Sequence, residues 1–154
     1  MTNLQNGDTA PSFTAKDQNG KEVKLSDFKG SKVALYFYPK DMTPGCTNQA
    51  CNLRDNFSEL KEKGIVVLGV SPDDEGRHQK FIDKHELPFT LIADTEREVI
   101  NAYGIWGPKK FMGKEYDGLH RTTFLINEEG KIHEIIKKPK TKAHAEEILN
   151  HFEK

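Results

Sequence analysis

The chain has 154 residues, of which 35% are hydrophobic and 31% are charged, and its formal net charge at pH 7 is −1. This length fits one domain with a core of its own, and the composition predicts a globular protein. The near-neutral charge argues against nucleic-acid binding, because proteins that bind a phosphate backbone usually carry a concentrated basic surplus.

The N-terminal residues 1–7 contain neither a basic nor an apolar segment, so we predict no signal peptide. No apolar run approaches the roughly 20 residues that cross a bilayer, which predicts no membrane partner. We therefore expect a cytoplasmic protein. In that compartment a close pair of cysteines is more often catalytic, redox-sensing or metal-binding than structural.

The first predicted elements are strands. Residues 13–17 and 22–25 flank a turn that contains Asn19-Gly20, and Asn-Gly between two such runs predicts a β-hairpin. Residues 33–38 and 65–70 are continuous apolar runs. Their length and their β-branched residues favour central strands that are buried on both faces.

Helices alternate with these strands. Residues 46–63 carry apolar side chains at spacings of three and four and end at Gly64, which predicts one helix. Ser71-Pro72-Asp73-Asp74 predicts the start of the next helix, because it offers an N-cap, a proline at the first position and an acid three residues after the cap. The remaining predicted elements are a strand, a helix, a Gly-rich loop, two strands and a last helix, at residues 89–92, 96–102, 104–118, 122–126, 132–136 and 141–152.

This order of elements predicts an α/β fold. Strands that alternate with helices and end in an antiparallel pair give a mixed central sheet with helices on both faces. We expect a single domain over residues 1–154 that begins with a β-hairpin. A thioredoxin-like layout satisfies the order well, although the pattern alone does not separate it from other small α/β folds.

The turn after the strand at 33–38 carries the most informative residues. Pro39-Lys40-Asp41-Met42-Thr43-Pro44-Gly45-Cys46 delivers a thiol to the start of the predicted helix, and Cys51, the only other cysteine, follows five residues later. The N–H groups and the dipole at a helix N-terminus stabilise anions. A cysteine in such a position is favoured as a reactive thiolate.

The same turn resembles the active sites of a known family. Pro39-x-x-x-Thr43-x-x-Cys46 is similar to the signature of the peroxiredoxins, and the string from Tyr38 to Thr47, with Cys51, resembles their bacterioferritin-comigratory (Q-type) branch. The likeness extends over nearly the whole chain. Further matching segments are Ala10-Pro11, Phe13, Gly69-Val70-Ser71-Pro72, Leu91-Ile92-Ala93-Asp94 and Arg121-x-Thr123-Phe124-Leu125-Ile126.

The resemblance implies a role for five residues and a thioredoxin-like fold. Cys46 would be the peroxidatic cysteine and Cys51 the resolving cysteine, and the pocket would be completed by Pro39, Thr43 and Arg121. Hydrogen peroxide and organic hydroperoxides would be the substrates, with no metal or other cofactor. This chain departs from the branch at Gln49, where an acid is usual, so any part of that acid in positioning or proton transfer is in doubt here.

The chemistry explains why these residue types are needed. A thiolate on Cys46 attacks one peroxide oxygen and becomes a sulfenic acid. Full ionisation of a thiol that is otherwise a few per cent ionised raises the rate by only about 30-fold, so donors aimed at the peroxide oxygens must supply more. We expect Arg121 to face the sulfur and the peroxide, Thr43 to donate to the sulfur or accept from the peroxide, and the N–H groups of Gly45 and Cys46 to be free.

The spacing of the two cysteines adds a testable expectation. Five residues on an intact helix place the Cα atoms roughly 8.5 Å apart, whereas a disulfide tolerates about 7 Å at most. The first helical turns must therefore unwind after Cys46 is oxidised, and Thr47 and Asn48 are mediocre helix formers. The disulfide would then be reduced by thioredoxin or a similar dithiol. Because this cycle needs no partner subunit, we expect a monomer.

Two other functions fit the cysteines. A thioredoxin-fold copper chaperone would bind Cu(I) through two thiolates and a histidine, although a C-x₄-C pair on one helix is an awkward chelate. A protein disulfide oxidoreductase would use the same fold, but that chemistry typically takes a C-x-x-C pair. Stoichiometric copper after purification would indicate the first, and reduction of a protein disulfide without peroxide would indicate the second.

Two groups of residues leave their roles open. The aromatic and apolar residues of the 104–118 loop either lie beside the pocket, where they would favour organic hydroperoxides, or pack the loop onto the core: Trp106, Phe111, Met112 and Tyr116. The six histidines show no metal-ligand spacing. Among them His120, beside Arg121, is the only one that we consider as a site candidate.

Overall fold

The computed structural model describes residues 2–153. Its strands are β1 (Thr14–Asp17), β2 (Glu22–Lys24), β3 (Lys32–Phe37), β4 (Ile65–Ser71), β5 (Thr90–Ala93), β6 (Trp106–Phe111), β7 (Lys114–Leu119), β8 (Thr122–Ile126) and β9 (Ile132–Ile136). Its helices are α1 (Pro44–Asp55), α2 (Phe57–Glu62), α3 (Glu75–His85), α4 (Glu98–Ala102) and α5 (His144–Phe152), with a 3₁₀ turn at Leu25–Phe28.

Seven strands form one mixed sheet in the order β2-β1-β5-β4-β3-β8-β9. The three central strands β3, β4 and β5 are parallel, and the strands outside them pair antiparallel. The predicted N-terminal hairpin is confirmed as β1–β2. Its turn is closed by the Asp17 carboxylate, which accepts the N–H groups of Asn19 and Lys21 at 2.8 and 2.9 Å.

Strand β3 divides the core into two halves. Val33, Leu35 and Phe37 face one cluster, which also contains residues of α4, while Ala34 and Tyr36 face the other. The second cluster is covered by α1, α2, α3 and α5. The predicted helices on both faces of the sheet are therefore confirmed, and each fully buried large apolar side chain contributes about 1.5–3 kcal/mol relative to exposure.

The single helix predicted over 46–63 is wrong, because it breaks at Asn56. That residue lies between α1 and α2 with φ −114° and ψ 16°, outside helical geometry. Its side-chain amide donates to the Asn52 carbonyl at 2.8 Å. A side chain thus takes the carbonyl that would bond a backbone N–H in a continuous helix.

Helix α3 begins later than predicted. Ser71 belongs to β4, where it pairs with Ala93, so it cannot cap the helix. Asp74 is the N-cap, and its carboxylate accepts the Arg77 N–H at 2.8 Å. Two other helices also begin later than predicted, α4 at Glu98 and α5 at His144.

The loop predicted over 104–118 is a second hairpin, β6–β7, separate from the main sheet. Trp106 pairs with Leu119 at its base, and Met112 and Gly113 turn the chain with φ of 52° and 80°. Two successive residues with positive φ are typical of a tight hairpin turn. The exposed Lys-rich strands lack the alternating apolar pattern by which a hairpin is found in sequence.

Among residues 2–153, no helix combines the length and the apolar character that crossing a bilayer takes.

Candidate active site

Cys46 lies in the first turn of α1, and its residue is only 1% exposed. Thr43 is the N-cap of the helix and Pro44 its first residue. The first helical bond runs from the Thr47 N–H to the Thr43 carbonyl at 2.9 Å. The N–H groups of Gly45 and Cys46 precede that bond, so they remain at the open end of the helix as predicted.

Arg121, the residue before β8, reaches the sulfur of Cys46. Thr122, the next residue, pairs with Phe37 at the end of β3, where the chain leaves for the Pro39–Thr43 turn. One terminal guanidinium nitrogen donates to Cys46 Sγ at 3.3 Å, and the other donates to Gln49 Oε1 at 2.6 Å. The structure therefore brings Arg121 and Cys46 together, as expected from the sequence.

Gly45 leaves room for this approach. A Cβ atom at this position would lie 3.3 Å from the same Arg121 nitrogen that donates to the sulfur. That distance is tighter than an ordinary carbon–nitrogen contact. The glycine directly before Cys46 thus lets the guanidinium come close to the start of the helix.

Gln49 orients the guanidinium without neutralising it. The residue is fully buried, and its amide oxygen accepts from Arg121. Its amide nitrogen has no hydrogen-bond partner among residues 2–153. A carboxylate at this position would form an ion pair with Arg121, whereas the amide leaves the full positive charge to act on the sulfur.

Tyr36 is a site neighbour that the sequence analysis missed. It is buried on the face of β3 that holds Cys46, and within the described chain its hydroxyl has no hydrogen-bond partner. Burial, and then the charges of Asp41 and Cys46, raise the pKa of Tyr36 well above its usual value, so the phenol stays protonated. The alternation of β3 was the available clue, because it puts residue 36 on the same face as the residue before the turn.

Thr43 and Pro39 both lie in the turn, but the Thr43 hydroxyl does not donate to the sulfur. The Thr43 hydroxyl donates to the Lys40 carbonyl at 2.9 Å. Its proton is therefore used within the turn rather than given to the sulfur, although the oxygen can still accept from a peroxide. Pro39 is half-buried directly after β3, and it offers no N–H to water or substrate.

The Pro39–Thr43 turn is fixed to the core by the buried carboxylate of Asp41, a role that the sequence analysis also missed. Asp41 is 1% exposed; its carboxylate accepts the Tyr38 hydroxyl at 2.5 Å and meets His78 Nδ1 at 2.6 Å. His78 Nε2 in turn donates to the Ile92 carbonyl at 2.9 Å. Asp41 thus joins the turn to α3 and β5, and an acid inside the signature turn was the only clue to it.

Cys51 lies on the same unbroken helix as Cys46, and both thiols are free. This confirms the expectation that the reduced pair shares one helix without a bond. Cys51 is half-buried, and its sulfur lies 3.7 Å from His85 Nδ1 at the end of α3.

The other candidates lie apart from the cysteines. His120 Nε2 donates to the Pro108 carbonyl at 3.0 Å, so it closes the base of the β6–β7 hairpin. Trp106 packs on the core beneath Arg97, while Phe111, Met112 and Tyr116 are exposed. In the part of the chain from residue 2 to 153, no group of three or more His, Cys, Asp or Glu could hold a metal ion.

Comparison with known proteins points to one family. A sequence model of the AhpC/TSA family matches residues 6–135. The putative peroxiredoxin bcp of Haemophilus influenzae is 52% identical over 152 residues, covering 99% of this chain and 98% of that protein. Peroxiredoxin Bcp of Escherichia coli is 50% identical over 150 residues, covering 97% and 96%.

Solved structures agree with the sequence matches. A cysteine-to-serine mutant of Xylella fastidiosa PrxQ superposes with a TM-score of 0.92 at 29% identity and covers 99% of this chain and 98% of that one. The bacterioferritin comigratory protein of Xanthomonas campestris, studied for its alkyl peroxide reduction activity, gives 0.88 at 28% identity and covers 99% and 98%. With the sheet order above, these likenesses confirm the predicted thioredoxin-like fold.

Proposed function

Because this chain belongs to the AhpC/TSA family and is a peroxiredoxin, a thiol peroxidase, we propose that Cys46 is the sulfur that attacks the peroxide. Its substrates are peroxides and its reductant is a thiol. The observation that carries the assignment to Cys46 is the contact of Arg121 with its Sγ at 3.3 Å, which places a cation on a buried thiol in the first turn of a helix.

The first step joins sulfur to oxygen. The Cys46 thiolate attacks the nearer peroxide oxygen, the O–O bond breaks, and the departing oxygen takes a proton to leave as water or an alcohol. The negative charge moves from sulfur to that oxygen in the transition state. Arg121 and the free N–H groups of Gly45 and Cys46 are positioned to stabilise it along this path, and preorganised donors of this kind are usually the largest catalytic contribution.

Thr43 and Pro39 have supporting roles in this proposal. The Thr43 hydroxyl is held by the Lys40 carbonyl, so its lone pairs can accept the O–H of a hydroperoxide and orient it. Pro39 shapes the turn and limits water at the sulfur. Organic hydroperoxides are included among the substrates because alkyl peroxide reduction is the activity for which the Xanthomonas relative was studied.

The second step closes the disulfide. The Cys51 thiol attacks the Cys46 sulfenic acid, an S–S bond forms, and the sulfenic oxygen leaves as water. The intact helix α1 holds the two residues too far apart for a bond, so its first turns must open. A dithiol such as thioredoxin then reduces the disulfide and restores both thiols.

We propose further that the chain works as a single domain and as a monomer in the cytoplasm. Both core clusters lie on the two faces of one sheet, which supports a single domain. The cycle takes both of its sulfurs from one chain, so no second subunit is needed. Two free thiols suit a reducing compartment.

Mass spectrometry after one equivalent of hydrogen peroxide tests this cycle. We expect a Cys46–Cys51 disulfide within one chain, and a trapped sulfenic acid on Cys46 in the Cys51→Ser variant. Cys46→Ser should lose peroxidase activity. A disulfide between two chains, first oxidation at Cys51, or full activity of Cys46→Ser would overturn the assignment.

Reduction of the purified disulfide form tests the reductant. Thioredoxin should restore two thiols per chain and sustain turnover with hydrogen peroxide and with an alkyl hydroperoxide. Turnover with monothiols only would exclude a dithiol reductant.

A further inference from the structure

His85 is in contact with the sulfur that would act second. Its Nδ1 atom lies 3.7 Å from Cys51 Sγ, and its ring packs edge-on against Phe81 at 5.4 Å between centroids. The histidine is the last residue of α3, so the contact joins two helices that are far apart in sequence. Neither the family signature nor the first chemical step uses this residue.

The contact between His85 and Cys51 is supported by a second bond between the same two helices. Arg54, one turn after Cys51 on α1, donates to the carbonyl oxygen of His85 at 2.8 Å. Asn52 fixes the same part of α1 to the residues before and in α5, because its side chain donates to the Lys142 carbonyl at 3.1 Å and accepts the Ala145 N–H at 2.8 Å. The C-terminal half of α1 is therefore anchored on both sides of the helix.

This anchoring decides which cysteine moves. The first turns of α1 are held through side chains by Arg121, which contacts Cys46 and Gln49. Oxidation changes the sulfur in that contact, whereas the bonds of Asn52 and Arg54 do not involve it. Cys46 is therefore expected to move to Cys51, with Cys51 staying beside His85 while the disulfide forms.

The imidazole is suited to accept a proton. Partial burial, and then the charges of Lys84 and Arg54, lower the pKa of His85, so its neutral form predominates at neutral pH. When the proton of a neutral ring sits on Nε2, the lone pair of Nδ1 faces the thiol. The guanidinium of Arg54 forms an ion pair with Asp55 at 2.9 Å, and Glu86 directly follows His85. The charged groups near His85 therefore have both signs, and they lie at the ends of α1 and α3.

We propose that His85 is the general base of the disulfide-forming step, an inference that rests on the proposed role of Cys51. Nδ1 takes the proton of the Cys51 thiol as the thiolate attacks the Cys46 sulfenic acid. The S–S bond forms, the S–O bond breaks, and the proton on His85 is returned to the departing hydroxide, which leaves as water. No other oxidant or reductant takes part.

The proposal limits how much the loss of His85 can slow disulfide formation. An ordinary thiol is a few per cent ionised at neutral pH, so a base can raise the thiolate population at most about 30-fold. Its contribution must vanish where the thiol ionises without help. The effect of losing His85 is therefore largest near neutral pH and disappears in alkali.

Rapid-mixing experiments on the full chain test this. Reduced protein is mixed with one equivalent of hydrogen peroxide, quenched with a thiol alkylating agent, and the fraction of disulfide is measured against time at several pH values. We expect His85→Asn and His85→Ala to slow disulfide formation about tenfold at pH 7 and at most about twofold near pH 9. Free imidazole should restore part of the rate in His85→Ala.

His133→Asn is the matched control. His133 is also a half-buried histidine beside an aromatic ring, Phe152, and it donates to a backbone carbonyl rather than facing a cysteine. It should form the disulfide at the wild-type rate. Wild-type rates in both His85 variants at pH 7, or equal slowing at every pH without imidazole rescue, would overturn the role of His85. Absence of the Cys46–Cys51 disulfide in the wild type would instead overturn the cycle itself.

Discussion

At the scale of single residues, the pocket depends on a glycine that makes no hydrogen bond of its own to the sulfur. A methyl group on Gly45 would meet the Arg121 nitrogen at 3.3 Å, and that nitrogen is the end of a flexible side chain. The side chain can yield by a few tenths of an ångström at little cost in stability, but the shift would disturb its contact with the sulfur.

The Gly45→Ala variant should therefore separate stability from reactivity. We expect its unfolding free energy to stay within about 1 kcal/mol of wild type, because alanine favours a helix. The second-order rate constant with hydrogen peroxide should fall about ten- to hundredfold, because a small displacement of a catalytic group is costly. Stopped-flow kinetics and denaturant unfolding measure the two quantities.

Gly76→Ala is the matched control for that substitution. Gly76 also lies in the first turn of a helix, α3, but a Cβ atom there would meet only Asp74 Oδ1, at 3.5 Å. Gly76→Ala should change neither the unfolding free energy nor the rate constant with hydrogen peroxide by much. An undiminished rate constant in Gly45→Ala would mean that Arg121 does not need its observed position.

Gln49 sets how much of the Arg121 charge reaches the sulfur. In Gln49→Glu a carboxylate would replace the amide oxygen that now accepts from the guanidinium at 2.6 Å. We expect the pH midpoint of thiolate ultraviolet absorbance to rise by roughly one unit, because a paired cation stabilises the thiolate less. Gln49→Met, which is neutral and of similar size, controls for loss of the hydrogen bond. A midpoint that falls in Gln49→Glu would contradict this account.

At the scale of elements, helix α1 consists of two parts with different partners. Its first turns contact Arg121, the residue before β8, through Cys46 and Gln49. Its last turns are tied through Arg54 to the end of α3 and through Asn52 to the segment that leads into α5. Elements with few fixed contacts open locally at a lower free energy than the rest of a fold.

Amide hydrogen exchange should reveal this division. In the disulfide form we expect faster exchange over residues 44–50 and unchanged exchange over residues 53–62, relative to the reduced protein. Cys51→Ser treated with peroxide is the control, because it is oxidised but cannot form the bond. Loss of protection throughout α1 and α2 would mean that the anchors at Asn52 and Arg54 are released as well.

At the scale of the whole molecule, His144 makes stability depend on pH. It is fully buried at the start of α5, where it bonds Thr123 at 2.8 Å and Glu147 at 3.0 Å. Burial lowers its pKa below the ordinary value of about 6.5, despite the opposing effect of Glu147. As the pH falls below that value, the unfolded chain takes up a proton that the folded chain does not.

His144 should therefore lower the unfolding free energy in acid. Above pH 7 we expect His144 to contribute nothing to the dependence of the unfolding free energy on pH. Between its pKa in the unfolded chain and its pKa in the folded chain, it should lower the unfolding free energy by up to about 1.4 kcal/mol for each pH unit. Urea unfolding across this range measures it. The unfolding free energy should fall less steeply with pH in His144→Gln than in the control His133→Gln, which removes a half-buried histidine from β9. Equal slopes in the two variants would refute the assignment to His144.

The order of elements could be predicted from the sequence because each central strand is a continuous apolar run and each helix has an apolar stripe. The predicted helix boundaries failed where a side-chain hydrogen bond or a strand pairing replaced the expected helical bonds. The Asn56 amide ended α1 early, and pairing of Ser71 with Ala93 delayed α3. The β6–β7 hairpin was hidden because its strands are exposed and bury no alternating face.

The candidate site was predictable as far as its signature reached. Cys46, Thr43 and Arg121 were predicted from the segments that resemble the family, and the structure adds the geometry of their contacts. Tyr36 was missed although the alternation of β3 points to it. His78 and His85 were not found, since each is brought to the turn or to Cys51 by packing between elements distant in sequence. No spacing along the chain encodes such a contact.

The two-part character of α1 has a consequence for survival under oxidative stress. A sulfenic acid held in the closed pocket is exposed to a second peroxide molecule, which would convert it irreversibly to sulfinic acid. How long it waits is set by the fraying of one helix end, to which Thr47 and Asn48 contribute poor helix-forming tendency. Easy fraying thus protects the enzyme, and a stiffer helix end would leave it inactivated at lower doses of oxidant.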